Sequence, residues 1–289
     1  MKSKLFLSLT MFLGLPFLKC YAVEPVHSSN QEKTAIILVT FGTSVKKAQV
    51  ALDNIKNIAE KRFPKDKFVW AYTSVIIRKK LDKQGVFLDS PEEAINKLEK
   101  AGYNRIILQS LHTISGYEYE EITKLKSKYK NIVVGAPLLS SYKDLTNALK
   151  AVLKTVPDSR KYNEAIILIG HGSHHPAGLA YIAAAGELHK IDKNTFICCV
   201  ESHPTFEEVI SECTKNKIKK AYLIPFMSVA GDHVYNDIAG DGEDSLNTLL
   251  KKEGISSITL FKGTAENDLI VNIWLDHLEQ ALNSPLIKH

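Results

Sequence analysis

The chain has 289 residues, 45% hydrophobic and 24% charged. That is the balance of a soluble globular protein and excludes a disordered, collagenous or disulfide-stapled chain. The formal net charge is +5, but residues 1–22 hold three lysines and no acid, so the remainder carries only +2 and, without basic–aromatic interleaving, gives no electrostatic case for nucleic acid.

In chain order, residues 1–22 read as a signal peptide. Lys2 and Lys4 precede an apolar run from Leu5 to Leu18, and Cys20-Tyr21-Ala22 supplies small residues at the −3 and −1 positions. The pattern predicts export with cleavage after Ala22, and a periplasmic mature protein if the source is Gram-negative. The run is shorter than the ~20 residues of a membrane span. Gly14 and Pro16 weaken it further, and no later segment predicts a stable span. Cys20 raises a lipoprotein alternative, which Lys19 beside it disfavours. Residues 23–33 are polar and predicted to be a flexible N-terminus.

The rest of the chain repeats itself. AIILVTFGTS (35–44) matches AIILIGHGSH (165–174) at an offset of 130, FVWAYTS (68–74) matches FICCVES (196–202) at 128, and RIILQSLHTISGYEYEEI (105–122) matches AYLIPFMSVAGDHVYNDI (221–238) at 115. Each segment opens as a short apolar strand of the kind buried in parallel sheets. Helical patterns lie between them over Lys46–Arg62, Ser90–Ala101, Glu118–Tyr129, Tyr142–Thr155, Thr205–Lys215 and Asp244–Glu253, and an amphipathic pattern closes the chain over 267–284. The alternation predicts an α/β fold of two similar doubly wound domains with parallel sheets. An N-terminal half spans 34–157, and a C-terminal half spans 158–289 and includes the closing helix. Cys198, Cys199 and Cys213 are an odd set without CxxC spacing and read as small buried residues.

Ligands of open parallel sheets bind beyond the carboxyl ends of the strands. Those ends carry Phe41, Thr73, His112 and Glu118 in the first half and His171, Glu201 and His233 in the second. The internal alignment sets His171 opposite Phe41, Glu201 opposite Thr73 and His233 opposite Glu118. Only the second half therefore gathers two imidazoles and a carboxylate, a set that suits Co²⁺, Fe²⁺, Ni²⁺ or Zn²⁺. The alternative is three unconnected polar loop residues. His174 and His175 are outer-shell or surface groups, His203 is a surface group, and His27, His189, His277 and His289 are expected to be solvated. GxSxG, Walker A and GxGxxG motifs are absent, so Ser173 is no obvious nucleophile.

The segments VTFGTS (39–44), TSVIIRKKL (73–81), LQSLHTISGYEYEEI (108–122), GAPLLSS (135–141), IGHGSHH (169–175), VESHP (200–204) and PFMSVAGDHVYNDIAGD (225–241) resemble the anaerobic sirohydrochlorin cobalt chelatases of the CbiK type, in the class II chelatase superfamily. The resemblance covers about residues 34–284, with His203 where the family often has tyrosine. It implies a cleft between two α/β domains, metal at His171, Glu201 and His233, a tetrapyrrole in the cleft, and ATP-independent insertion of Co²⁺ into sirohydrochlorin or precorrin-2 on the anaerobic route to cobalamin. His171 is then the principal ligand and proton acceptor. Glu118 is either a second catalytic base or a solvated helix-start glutamate. Phe41, Arg78, His112 and Ser173 are candidate substrate contacts. Arg78, Lys79 and Lys80 are either carboxylate partners of the substrate or a solvated basic face, and His112 is either cleft-lining or satisfied within the interior. An exported metal or haem carrier of the same fold is the alternative function, as is a ferrochelatase or nickel chelatase using the same site. Haem binding and homo-oligomerisation are both compatible with the sequence.

Overall fold

The computed structural model describes residues 32–286. The predicted signal peptide lies outside them, as do His27 and His289. The first half builds β1 (Thr34–Thr40), α1 (Gln49–Arg62), β2 (Lys67–Tyr72), α2 (Val75–Asp82), α3 (Pro91–Lys100), β3 (Arg105–Ser110), α4 (Tyr117–Lys128), β4 (Ile132–Gly135) and α5 (Tyr142–Leu153). The second builds β5 (Ala165–Gly170), α6 (Leu179–Ile191), β6 (Thr195–Cys199), α7 (Phe206–Lys215), β7 (Lys220–Pro225), α8 (Leu246–Lys252) and β8 (Ser256–Thr259), and the described chain closes with α9 (Asp268–Asn283).

Each half forms a four-stranded sheet of the same order, β2-β1-β3-β4 and β6-β5-β7-β8. Every strand pairing is parallel. The central strands β3 and β5 are buried at every residue because helices cover both faces. Short polar side chains set the helix starts. Ser90 with Glu93 and Thr205 with Glu208 form reciprocal capping boxes on α3 and α7, so orphan N–H groups of the first turn are satisfied.

The ladders correct one internal alignment. Ile36 pairs with Ile107 and Ile166 with Tyr222, which reproduces the offset of 115. Ile36 pairs with Phe68, however, and Ile166 with Thr195, an offset of 127 rather than 128. The loop hydrogen bonds agree: Ser74 N–H donates to Phe41 O at 3.3 Å and Glu201 N–H to His171 O at 2.9 Å. Glu201 is thus the counterpart of Ser74, not of Thr73.

The helix expected to close the second half packs on the first. α9 lies against β3, β4, α1 and α5. Trp274 Nε1 donates to His112 O at 3.3 Å, and Arg105 Nη2 donates to Leu282 O at 2.8 Å. His277 is therefore buried rather than solvated, with Nε2 3.3 Å from Asp144 Oδ2 and Nδ1 3.3 Å from Ala136 O. A single apolar cluster contains Ile36, Leu38 and Ile107 of one sheet, Leu168 and Ile224 of the other, and Trp274, Leu275 and Leu278 of α9. The outer faces have their own clusters, Ile37 with Ile95 and Ile122 in the first half and Ile167 with Val209 and Leu250 in the second. The halves thus share a central core.

Candidate metal centre

The site begins at a glycine. β5 ends at Gly170, and Gly172 follows His171 with φ +90°, a left-handed conformation that glycine adopts without steric cost. A Cβ at Gly172 would lie 2.6 Å from Ser202 Oγ and 2.9 Å from Ser202 N. The absence of that atom lets the loop after β5 touch the loop after β6. Val200 N–H then donates to Gly170 O at 3.1 Å and Ser173 N–H to Ser202 Oγ at 3.0 Å. His171 and Glu201 are brought together in this way, with Nδ1 3.7 Å from Oε2.

The third member follows β7. Phe226 N–H donates to Ile169 O at 2.7 Å, which continues the ladder past the strand end. Gly231-Asp232-His233 then leads into a π-helical turn, Val234–Ile238. The His171 and His233 rings meet edge to face, with centroids 4.8 Å apart. One donor atom from each of His171, Glu201 and His233 lies within 4.8 Å of the others. All three side chains keep between a third and a little over half of their surface open to solvent. Two imidazoles and a carboxylate in this arrangement suit a borderline divalent cation, with coordination positions left for a substrate.

Sequence reasoning missed Asp237. Its Oδ2 lies 2.5 Å from His233 Nδ1, and the H-x-x-x-D spacing of one helical turn is the signal that could have found it.

The first half supplies the facing groups. His112 follows β3, with Nδ1 2.9 Å from Ser110 Oγ and Nε2 3.2 Å from Thr73 Oγ1. Desolvation pulls its pKa from 6.5 down to about 4, against the opposing pull of the Glu118 carboxylate. His112 is thus neutral at pH 7, held by two hydroxyls at the edge of the interior, so both sequence alternatives describe part of it. Glu118 is half-buried on the first turn of α4, and its charge is also felt by the buried phenol of Tyr181, on α6 of the other half. It therefore lies within electrostatic reach of the second half. Phe41 is 40% exposed at the end of β1.

Other sequence candidates are otherwise engaged. Arg78 Nη1 is 3.4 Å from Glu93 Oε2, on α3. Its neighbour Lys80 reaches across the halves instead, with Nζ 3.4 Å from Asp232 Oδ2, and Ser44 Oγ donates to the same oxygen at 3.3 Å. Ser173 Oγ accepts from His175 N–H at 3.1 Å, a bond internal to the turn. His175 Nδ1 accepts from Ala177 N–H, so its Nε2–H points to Glu120 Oε1 of α4, 2.8 Å away. His175 is thus a second tie between the halves, while His174 and His203 are exposed.

Fold and site together define a two-sheet α/β protein with a cluster of two imidazoles and a carboxylate that could hold a divalent metal at the strand ends of one half. The sequence pattern of the cobalt chelatase (CbiK) family matches residues 34–283, and the chain belongs to that family. It is 31% identical over 269 residues to the sirohydrochlorin cobaltochelatase CbiKC of Nitratidesulfovibrio vulgaris, covering 91% of this chain and 95% of that one. It is 33% identical over 262 residues to the sirohydrochlorin cobaltochelatase of Salmonella typhimurium, covering 87% and 97% respectively. Among solved structures, SirB from Bacillus subtilis with Fe³⁺ superposes with a TM-score of 0.61 at 19% identity, over 87% of this chain and 96% of that one. CbiX, described as the terminal enzyme of siroheme biosynthesis in denitrifying bacteria, gives 0.57 at 13% identity, over 87% and 100%. Those two likenesses establish the shared fold.

Proposed function

We propose that the protein inserts Co²⁺ into sirohydrochlorin without ATP, as a lyase-type metal chelatase. The observation that carries this reading is the convergence of His171, Glu201 and His233 within 4.8 Å at the strand ends of one half, in a chain of the cobalt chelatase family.

Insertion exchanges two pyrrole N–H protons for one divalent cation. The macrocycle lies between the halves, with the cation delivered from the second-half wall. Neutral imidazole is both a metal ligand and a proton acceptor near pH 7. One lone pair cannot serve both purposes at once, so His171 hands over the cation before it takes a proton. Glu201 and His233 complete a site whose exposed, three-donor set releases its ion. Glu118 faces this site from the other wall and is the acceptor for the second proton. Neutral His112 beside it brings no positive charge that would neutralise the carboxylate. We further propose that residues 1–22 are an export signal cleaved after Ala22, so that the reaction takes place outside the cytoplasm, in the periplasm if the source is Gram-negative. The support for this location is the n-region, apolar run and small residues of 1–22. Amino-terminal sequencing of the protein from the periplasmic fraction tests it, and an intact Met1 in the cytoplasm would overturn it.

The test of function is anaerobic mixing of the protein with sirohydrochlorin and Co²⁺, followed by absorbance. The expected result is many turnovers above the spontaneous rate and none in His171→Ala. A stable one-to-one complex without turnover would overturn the chelatase and establish a carrier. Faster insertion of Fe²⁺ or Ni²⁺ under the same conditions would reassign the metal.

A further inference from the structure

The two imidazoles of the site are held differently. His171 Nδ1 has only Gly172 O at 3.2 Å, a long contact, and Glu201 Oε2 at 3.7 Å. His233 Nδ1 has the Asp237 carboxylate in direct contact at 2.5 Å, and hydrogen bonds to an ionised carboxylate are shorter and stronger than neutral ones. We propose that Asp237 is a positioning residue for metal delivery: its carboxylate holds the Nδ1 proton of His233, so that the ring presents the Nε2 lone pair to the cation.

The surrounding backbone fixes this carboxylate. Asp237 lies four residues beyond His233 on the π-helical turn Val234–Ile238, closed by Ala239 N–H donating to Val234 O at 3.0 Å. Single π turns are frequent at functional sites. Val234 and Ile238 are fully buried and anchor the turn to the outer core of the second half. Gly240 lets the chain leave tightly, since a Cβ there would lie 2.2 Å from Asn236 O. Asp237 and His233 are left together on the open side, each still more than a third exposed. A carboxylate–histidine–metal arrangement fixes the tautomer and ring orientation, and loss of the outer partner weakens metal binding by about 10- to 100-fold. His233 is thereby the fixed ligand, and His171 is the one free to exchange cation for proton.

The proposal rests on His233 as a metal ligand, and its test needs no tetrapyrrole. Calorimetry with Co²⁺ alone compares wild type, Asp237→Ala and Asp237→Asn, and nitrogen NMR of ¹⁵N-histidine-labelled protein reads the His233 tautomer without metal. Wild type should show Nδ1–H. Asp237→Ala should shift His233 to Nε2–H and bind Co²⁺ about 10- to 100-fold more weakly. Asp237→Asn retains an acceptor oxygen and should keep the tautomer and most of the affinity. Unchanged Co²⁺ affinity in a folded Asp237→Ala variant would overturn the proposal. So would Nε2–H in wild type, a readout that requires no variant to fold. A wild type that binds Co²⁺ but never turns over sirohydrochlorin would overturn only the chelatase reading and leave Asp237 in this role.

Discussion

Lowering the pH from 7 to 5 should destabilise the fold through His112. Its imidazole is desolvated between Ser110 and Thr73, and its pKa falls from 6.5 to about 4. The unfolded chain takes up a proton below about 6.5 that the folded state refuses until about 4. The stabilisation is therefore complete above pH 6.5 and is lost as the pH falls toward 4. The full gap is worth roughly 3 kcal/mol, and the part lost between pH 7 and pH 5 works out at about 2 kcal/mol. With a urea slope of about 3 kcal/mol per molar, the midpoint moves by about 0.6 M. The assay is urea unfolding of wild type and His112→Gln at both pH values. Glutamine keeps hydrogen-bonding capacity toward the two hydroxyls but does not titrate. Carboxylates that titrate in the same window do so in both proteins and cancel in the comparison. The variant's midpoint should fall by about 0.6 M less than that of wild type. Equal falls in the two proteins would refute the assignment of a neutral, desolvated His112.

Glu201→Gln and His233→Ala should each weaken Co²⁺ binding measured by calorimetry, and unchanged affinity in either would remove that residue from the site. Glu118→Gln should leave Co²⁺ affinity near wild type and slow turnover, because the proposed reaction uses this carboxylate as a proton acceptor and not as a metal ligand; full activity would return it to a solvated helix-start residue. Burial pushes the Cys199 and Cys213 thiols up to about 12 and raises Cys198 as well. At pH 8 only about one Cys199 or Cys213 in ten thousand is thiolate, so a disulfide reagent should modify the native protein slowly and all three thiols rapidly in urea. Fast labelling of the native protein would show that β6, which holds Cys198 and Cys199, or α7, which holds Cys213, opens readily.

The duplicated sheets were legible because β1 and β5 are unbroken apolar runs ending in glycine-containing turns, and a strand buried on both faces leaves that mark in sequence. The β2–β6 match slipped by one residue because Phe68 and Phe196 are alike in type. Side-chain likeness aligned them, whereas hydrogen bonding aligns Phe68 with Thr195. β4 and β8, four residues each, are too short to show an alternation of their own. α6 reads LAYIAAAGELHKI, apolar around most of its circumference, so no face announces itself. The apolar stripe of α9 was plain, yet a stripe carries no address. What sends it to the first sheet is spatial: Trp274 donating to His112 O and His277 set between Asp144 and Ala136. Asp237 escaped notice because a lone aspartate four residues after a histidine is common, and only the π turn and the 2.5 Å separation make it specific.

The candidate site residues stood out for a different reason: the repeat exposes what the two halves do not share. With the register corrected, the same three backbone positions hold Phe41, Ser74 and Glu118 on one wall and His171, Glu201 and His233 on the other. A scaffold with matching sheet order would place matching groups on both faces of a flat ring. Two identical metal sites would hold cations on both faces and leave no free acceptor for the pyrrole protons. On the proposed reaction, Phe41 at the position of His171 and Ser74 at that of Glu201 leave the first half without a matching metal site, and the strands are unaffected because these residues lie just beyond the ladder. In the same proposed reaction, Glu118 in place of His233 leaves a carboxylate on the wall opposite the cation, to accept a proton. His112, kept neutral by desolvation, preserves that charge, whereas a protonated imidazole beside Glu118 would neutralise it. On the proposed reaction, the divergence of three strand-end positions separates holding a cation from removing protons. The fold itself needs no alteration for that, since the ties across the halves, Lys80 to Asp232 and His175 to Glu120, lie beside these positions and not at them.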